Sequence, residues 1–200
     1  MKITIIADTH GTYNRLSEEY KKYTKGSELL CLLGDHTISD INGIINDFKN
    51  IPIIGVNGNH DALETFANPI INNIDNKIYK YKNITFTGFS GSSKYKDTQI
   101  YSYTQEETTI KCNNLKKSDI LISHDGPFGY CGNINDNTHC GLQGILNYIE
   151  KNQPKLVFFG HHHFNKNFKI GKTRCFCVYG IGVFEINYFK KVSNFTNYIL

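Results

Sequence analysis

A chain of 200 residues suits one globular core, and 40% hydrophobic with 20% charged residues and only 4 Pro excludes collagen, coiled coil and wholesale disorder. Twenty-two Lys and Arg against 18 Asp and Glu leave a formal charge of +4. That is too mild for a protein that coats nucleic acid and is compatible with small anionic substrates. No apolar run approaches the roughly 18 residues of a spanning helix, and the apolar start breaks at Asp8, which speaks against a signal peptide.

Residues 2–7 read as a buried strand, because Ile3, Ile5 and Ile6 are β-branched and the run stops at Asp8. The spacing of Leu16, Tyr20 and Tyr23 predicts a helix over 13–23, with Gly26 as its stop. A second strand is expected at 29–33, a helix with an apolar stripe at 38–48, and a third strand at 52–56. Strands alternating with helices across short connections indicate βαβ units and a parallel sheet. Residues 78–81 and 84–88 read as two strands around a tight turn, and 89–103 as a polar loop rich in Ser, Tyr and Lys. Thr104-x-x-Glu107 is a capping box that opens a short helix to about Cys112. A strand at 119–123 follows, then a Gly-rich loop from 126 to about 137, a helix over 139–151 and a strand at 155–159. Strands at 167–170, 173–179 and 183–189 complete the pattern. The segment 191–200 is expected to close a sheet edge or to pair with a partner. No linker or repeat divides the chain, so residues 1–200 are read as a single domain.

Five of these strands end in a polar cluster on their C-terminal side. The clusters are Asp8-Thr9-His10, Gly34-Asp35-His36, Gly58-Asn59-His60-Asp61, Ser123-His124-Asp125 and Gly160-His161-His162-His163. Open α/β sheets bind ligands at that edge. One strand-end Asp or His usually caps or faces solvent, whereas five clusters in one chain point to a site. Carboxylate and imidazole without thiolate suit Mn²⁺, Fe, Zn²⁺ or Ni²⁺. Taken as extended segments, Asp8-x-His10 and His161-x-His163 each put two side chains on one face. A carboxylate such as Asp35 can bridge two cations about 3.5–4 Å apart. Glycines before Asp35, Asn59 and His161 fit tight turns that bring backbone close to the ions.

The order Asp-x-His, Gly-Asp, Gly-Asn-His-Asp, strand-end His and Gly-His-x-His, running over residues 8–163, resembles the calcineurin-like metallophosphoesterases. The resemblance implies an α/β fold, a four-layer α-β-β-α sandwich of two mixed β-sheets flanked by helices. Carried over residue by residue, Asp8, His10 and His163 would bind one metal, Asn59, His124 and His161 the other, and Asp35 would bridge them. His60 would be the catalytic acid that protonates the leaving group, with Asp61 orienting or polarising it. Two divalent metal ions, manganese first among Mn, Fe, Zn and Ni, would activate hydroxide for in-line attack on phosphorus.

Finer features narrow the reading. His36-Thr37-Ile38 after Gly34-Asp35 lacks the Val-Asp-Arg-Gly stretch of the protein Ser/Thr phosphatases, and Ile38 stands where purple acid phosphatases carry a Tyr ligand. The extra domains of the large nucleases have no room here. The stretches 123–129, 137–141 and 153–161 are similar to a subgroup of small cyclic-nucleotide phosphodiesterase-like proteins, departing at Asp125, inserted between His124 and Gly126, and at Phe128. The implied function is hydrolysis of phosphodiester bonds in cyclic or other small nucleotides. The alternatives are a phosphomonoesterase, a nuclease for short oligonucleotides and, in a different class, a non-catalytic protein-binding scaffold. The expected partner is a small phosphate-ester or nucleotide substrate, with no membrane and no obligate nucleic acid; the oligomer is open.

Several residues carry two readings each. His36 either packs behind the ligands or is a helix-start polar residue, and His162 should face away from its neighbours. His139 falls near a helix start, where the preceding loop could bring it close to the site. Cys131, His139 and Cys140 are too few and too poorly spaced for zinc. Lys94 and Lys96 could meet phosphate, and Tyr95 or Tyr101 could stack on a base, as could Phe128 and Tyr130, against the alternative of solvated loops. The six cysteines form no Cys-x-x-Cys pair, so reduced thiols in a cytoplasmic protein are expected, with Cys175 and Cys177 sharing a strand face.

Overall fold

The structure, a computed structural model, describes residues 1–13, 18–186 and 194–198. Along the chain run β1 (Lys2–Ala7), α1 (Glu18–Thr24), β2 (Leu29–Leu32), α2 (Ile38–Phe48) and β3 (Ile53–Gly55). Next come β4 (Ile71–Asn73), β5 (Ile78–Tyr81), β6 (Ile84–Phe89), β7 (Ser92–Ser93), β8 (Ser102–Tyr103) and α3 (Gln105–Asn113). The second half holds β9 (Ile120–Ser123), α4 (Gln143–Asn152), β10 (Leu156–Phe159), β11 (Lys166–Ile170) and β12 (Thr173–Cys177). It ends with β13 (Gly180–Glu185) and β14 (Asn194–Tyr198).

Two six-stranded sheets result, in the orders β14-β13-β1-β2-β3-β4 and β11-β12-β10-β9-β6-β5. In the first, β1 to β4 run parallel, β13 runs antiparallel beside β1, and the edge strand β14 is antiparallel to β13. In the second, β6, β9, β10 and β12 are parallel and β5 and β11 are antiparallel edges. Both sheets are therefore mixed, as expected.

The central strands are apolar on both faces, which requires cover on both sides. Ile3, Ile5, Cys31 and Ile54 of the first sheet pack against Phe86, Ile122, Phe158 and Phe176 of the second. On the outer face of the first sheet, Ile6, Leu30 and Ile53 meet Ile41, Ile44 and Phe48 of α2. On the outer face of the second, Leu121, Val157 and Cys175 meet Ile145, Tyr148 and Ile149 of α4. The alternation of side chains along each strand thus builds the expected α-β-β-α layers.

Some boundaries differ, each for a local reason. The helix expected over 13–23 is described only as α1, and Leu16 lies outside the described residues. α4 starts at Gln143 rather than at 139, because its first N–H groups are capped from α3. Gln105 Oε1 accepts from Gln143 N at 2.8 Å, and Thr108 Oγ1 accepts from Gly144 N at 3.2 Å. β4 is only Ile-Asn-Asn and escapes a propensity reading. The loop 89–103 contains two short strands, β7 and β8, paired in parallel. Of the segment 191–200, residues 194–198 form the edge strand β14 on β13, which is the sheet-closing alternative.

Candidate metal centre

Asp8, Asp35, Asn59, His124 and His161 follow the C-terminal ends of β1, β2, β3, β9 and β10, and all five are buried. Their ligand atoms converge in two groups, Asp8 with His10 and His163, and Asp35 with His124 and His161. The groups meet at Asp35, whose Oδ2 is 3.6 Å from His10 Nε2 and 3.5 Å from His124 Nε2. His163 Nε2 lies 3.8 Å from Asp8 Oδ1 and 3.3 Å from His10 Nε2. Asn59 joins the second group through Oδ1, 2.9 Å from His124 Nε2. All seven candidate ligands are brought together.

The backbone sets which imidazole nitrogens are available. His124 Nδ1 donates to the Leu33 carbonyl at 2.7 Å, so its Nε2 carries the lone pair. His161 Nε2 donates to the Thr138 carbonyl at 2.8 Å, which leaves the Nδ1 lone pair. Asn59 gives its Nδ2 to the Tyr95 hydroxyl at 3.2 Å, so Oδ1 is the end that meets His124. With His124 neutral, its Nε2, Asn59 Oδ1 and Asp35 Oδ2 are three lone-pair carriers that face one another, so a positive charge, a proton on Nε2 or a cation, belongs between them. A cation satisfies that arrangement, and oxygen and imidazole donors fit a pair of divalent ions.

Five of the seven candidates have left-handed backbone: Asp8 (φ 54), His10 (φ 43), Asp35 (φ 59), His161 (φ 68) and His163 (φ 52). Among the described residues only three other non-glycines share that region, so the strain is concentrated here. The extended geometry expected for Asp8-x-His10 and His161-x-His163 is therefore incorrect. Consecutive turns, not strand alternation, bring these side chains together. The turns are fixed by Asp8 N donating to Gly34 O at 3.0 Å, His10 N to Asp35 O at 3.1 Å, and His161 N to Asp8 Oδ2 at 2.9 Å. Two glycines make room for the carboxylates: a Cβ on Gly58 would sit 2.1 Å from Asp35 Oδ1, and one on Gly160 2.6 Å from Asp8 Oδ2.

Burial and charge act against each other across the centre. Burial pushes Asp8 up to about 7, with Asp35 adding to the rise and His124 opposing it. Burial also acts to raise Asp35, but His124, the His60 N–H and His10 outweigh it and hold the carboxyl below its usual range. Burial takes His161 down to about 4, and it lowers His10 and His163 as well, so these imidazoles favour the neutral form that ligates. His124 moves up instead, because Asp35 and Asp8 outweigh its burial.

The remaining candidates divide. His60 lies at the exposed rim, its ring 5.7 Å from that of His10. Asp61 does not address His60; it accepts the backbone N–H groups of Asp35 (3.1 Å), His36 (2.8 Å) and Gly58 (2.7 Å). It shapes the turn that carries the shared carboxylate, which corrects the role expected for it. His36 packs behind the ligands, its Nδ1 2.7 Å from the Thr9 hydroxyl, and burial takes it down to about 4. His162 does face away, and its Nε2 forms a buried ion pair with Asp125 Oδ1 at 3.1 Å. His139 reaches the site's edge, its ring 5.2 Å from that of His161 and its Nδ1 3.0 Å from Asp136 Oδ2.

Lys94 is already paired with Asp97 at 2.9 Å, Lys96 lies over the Tyr95 ring, and Tyr130 is stacked on Phe168. Cys175 and Cys177 are buried. Asp40 is a residue the sequence reading passed over. Its carboxylate accepts from Thr9 Oγ1, Gly11 N and Tyr13 N and so ties down the turn that presents His10. The signal was available, since Thr37-x-x-Asp40 is a helix-start pattern.

Known proteins share the family and the fold. The model of the calcineurin-like phosphoesterase superfamily domain matches residues 1–180. The uncharacterized protein MJ1162 of Methanocaldococcus jannaschii is 31% identical over 189 residues, covering 86% of this chain and 85% of its own. Among solved structures, a novel archaeal phosphodiesterase is similar with a TM-score of 0.57 at 15% identity, over 100% of both chains. Phosphopantetheinyl hydrolase from Mycobacterium tuberculosis is similar with a TM-score of 0.58 at 12% identity, over 88% of this chain and 89% of its own. Zinc-complexed Vps29 from Entamoeba histolytica reaches a TM-score of 0.51 at 11% identity, over 94% of this chain and 87% of its own. At these identities the structures speak for the fold. The family model, spanning most of the chain, and the archaeal relative speak for descent: the chain belongs to the calcineurin-like phosphoesterase superfamily.

Proposed function

We propose that the chain hydrolyses phosphodiester bonds in small nucleotides, cyclic ones included, with two divalent cations at this centre. The observation that carries the reading is Asp35 Oδ2, which stands almost equally far from an imidazole of each group, 3.6 and 3.5 Å. A single oxygen in that position suits a shared ligand. A divalent pair held there supplies Lewis acidity, making water a nucleophile near neutral pH and offsetting phosphate charge. In this reading Asp8, His10 and His163 hold one cation, and Asn59, His124 and His161 hold the other. His60, exposed at the rim, gives a proton to the departing oxygen, a contribution of about 10²–10⁴-fold. The oxygen and imidazole donor set suits Mn, Fe, Zn or Ni, and membership of the phosphoesterase superfamily puts manganese first among them.

The mild charge of +4 suits small substrates over long nucleic acid. Six unpaired cysteines accord with a reducing, cytoplasmic compartment, and no helix among the described residues is long and apolar enough to cross a membrane. The test is a panel in which purified protein with Mn²⁺, Ni²⁺ or Zn²⁺ meets bis-p-nitrophenyl phosphate, p-nitrophenyl phosphate, cyclic nucleotides and single-stranded DNA. Turnover of the diesters is expected. Inertness with every metal would sink the enzyme reading in favour of a scaffold, and preference for the monoester would sink the choice of diester.

A further inference from the structure

Tyr95 sits where the metal ligands and the acid meet. Its hydroxyl oxygen accepts from Asn59 Nδ2 at 3.2 Å and from Gln99 Nε2 at 2.7 Å, and it lies 3.3 Å from His60 Nε2. The two amide nitrogens can only donate. With both directed at the oxygen, the phenol proton is left for the imidazole, the one neighbour of the three that can accept it. In the neutral ring His60 then carries its own proton on Nδ1, and in the acid form its Nε2–H turns to the hydroxyl oxygen instead, so the same contact holds the ring in either state.

The same contact decides the orientation of Asn59. An amide has nearly the same shape either way round, but only its oxygen can ligate a cation. By taking Nδ2, Tyr95 turns Oδ1 toward His124 Nε2, 2.9 Å away. A flipped amide would present N–H to the cation position.

The segment that carries Tyr95 is anchored at both ends. Ser92 N donates to Tyr101 O at 3.1 Å and Lys94 N to Tyr103 O at 2.9 Å, while Gly91 N donates to Asn57 O at 2.8 Å. Gly91 is required there, since a Cβ would lie 2.4 Å from Tyr101 O. Lys96 Nζ stands 5.4 Å from the Tyr95 ring centroid and covers one ring face. The hydroxyl, rather than the ring face, is therefore what this segment delivers to the centre.

We infer that Tyr95 is a positioning residue whose single hydroxyl fixes the ligating orientation of Asn59 and the direction of the His60 ring. The inference rests on the phosphoesterase reading of the same centre. Tyr95→Phe keeps the ring and its contact with Lys96 and removes only the hydroxyl. Calorimetric titration with Mn²⁺ is expected to show one of two sites losing about 10-fold or more in affinity, the scale for removing a partner that orients a ligand. Turnover of a diester with an alkyl leaving group, which needs a proton, should fall by about 10-fold or more. Bis-p-nitrophenyl phosphate, whose nitrophenolate departs unaided, should lose far less.

Manganese affinity and leaving-group dependence both equal to the parent protein would overturn the inference. So would a uniform fall on both substrates with unchanged metal binding, which would mark a merely structural loop residue. Asp97→Asn, which breaks the exposed pair with Lys94 on the same segment and leaves the hydroxyl network in place, guards against a folding defect of the loop, because it should preserve the leaving-group dependence that Tyr95→Phe alters. A parent protein inert on every ester would instead refute the phosphoesterase reading, and the manganese titration of Tyr95→Phe would still decide the Asn59 half.

Discussion

Replacing Asp40 by alanine tests whether the turn behind the centre is held by one carboxylate. Asp40 is fully buried at the third residue of α2, and its Oδ2 accepts from Thr9 Oγ1 (2.9 Å), Gly11 N (2.6 Å), Thr37 N (3.0 Å) and Thr37 Oγ1 (2.9 Å). Its Oδ1 accepts from Tyr13 N at 3.0 Å, a bond in buried surroundings. In the variant, the Tyr13 N–H loses its acceptor where water has poor access, at about 1–3 kcal/mol. The Gly11 and Thr37 N–H groups are partly exposed and can recruit water, so each loses about 0.5 kcal/mol. The expected loss is about 3 kcal/mol in urea unfolding of the metal-free protein at pH 7. A loss under about 1 kcal/mol would refute the assignment.

The pH dependence gives a second check on Asp40. Burial acts to raise its carboxyl, but the N–H groups of Thr37 and Gly11 and the hydroxyls of Thr9 and Thr37 outweigh it, so its folded value is depressed. A depressed carboxyl stabilises the fold above its unfolded value of about 3.9 and loses that contribution as pH falls toward the folded value. The gap between parent and variant should stay constant from pH 7 to about 5 and narrow below about 4. A gap that widens in acid would contradict the reasoning.

The other predictions concern the centre itself. His60→Ala should keep its metal, measured by calorimetry, and lose about 10²–10⁴-fold in turnover of poor leaving groups; an undiminished rate would remove its role. Asp35→Asn should lose cation binding at both positions, since Asp35 Oδ2 faces His10 and His124 alike, and metal content after dialysis reads this directly. Gly58→Ala places a methyl 2.1 Å from Asp35 Oδ1, so it should displace that carboxylate and weaken manganese affinity by about 10-fold or more, whereas unchanged affinity would show the turn can relax.

The layers and the five site clusters were legible in the sequence because both depend on local pattern. Continuous apolar runs such as Leu29-Leu30-Cys31-Leu32-Leu33 specify strands covered on both faces, and a glycine or polar residue that opens a site cluster follows close on each run. What was not legible depends on contacts between distant segments. The left-handed turns at Asp8, His10, Asp35, His161 and His163 are held by partners such as Gly34 O for Asp8 N and the Asp8 carboxylate for His161 N. The direction of Asp61 was misread because adjacency to His60 in sequence says nothing about the three backbone N–H groups that reach it across the turn. The start of α4 was misplaced because its caps come from α3, some 36 to 38 residues away. Asp125 looked like a local departure, and His162, facing away as expected, turns out to be its buried partner.

The two candidate cation groups lie across the seam between the sheets. Asp8 and His10 follow β1 of the first sheet while His163 follows β10 of the second; Asp35 follows β2 of the first while His124 and His161 follow β9 and β10 of the second. Protein contacts already cross that seam, His161 N to Asp8 and His124 Nδ1 to Leu33 O, so the ligands are positioned before any cation arrives. Cations bound to the folded state alone would add to that join, by about 2.7 kcal/mol at a hundredfold excess over Kd. This separates the two kinds of variant argued above. Loss of Asp35 removes what the cations contribute and leaves the protein contacts across the seam in place. Loss of Asp40 weakens the turn itself, so its effect must persist when no metal is present, which is why the unfolding measurement belongs on the metal-free protein.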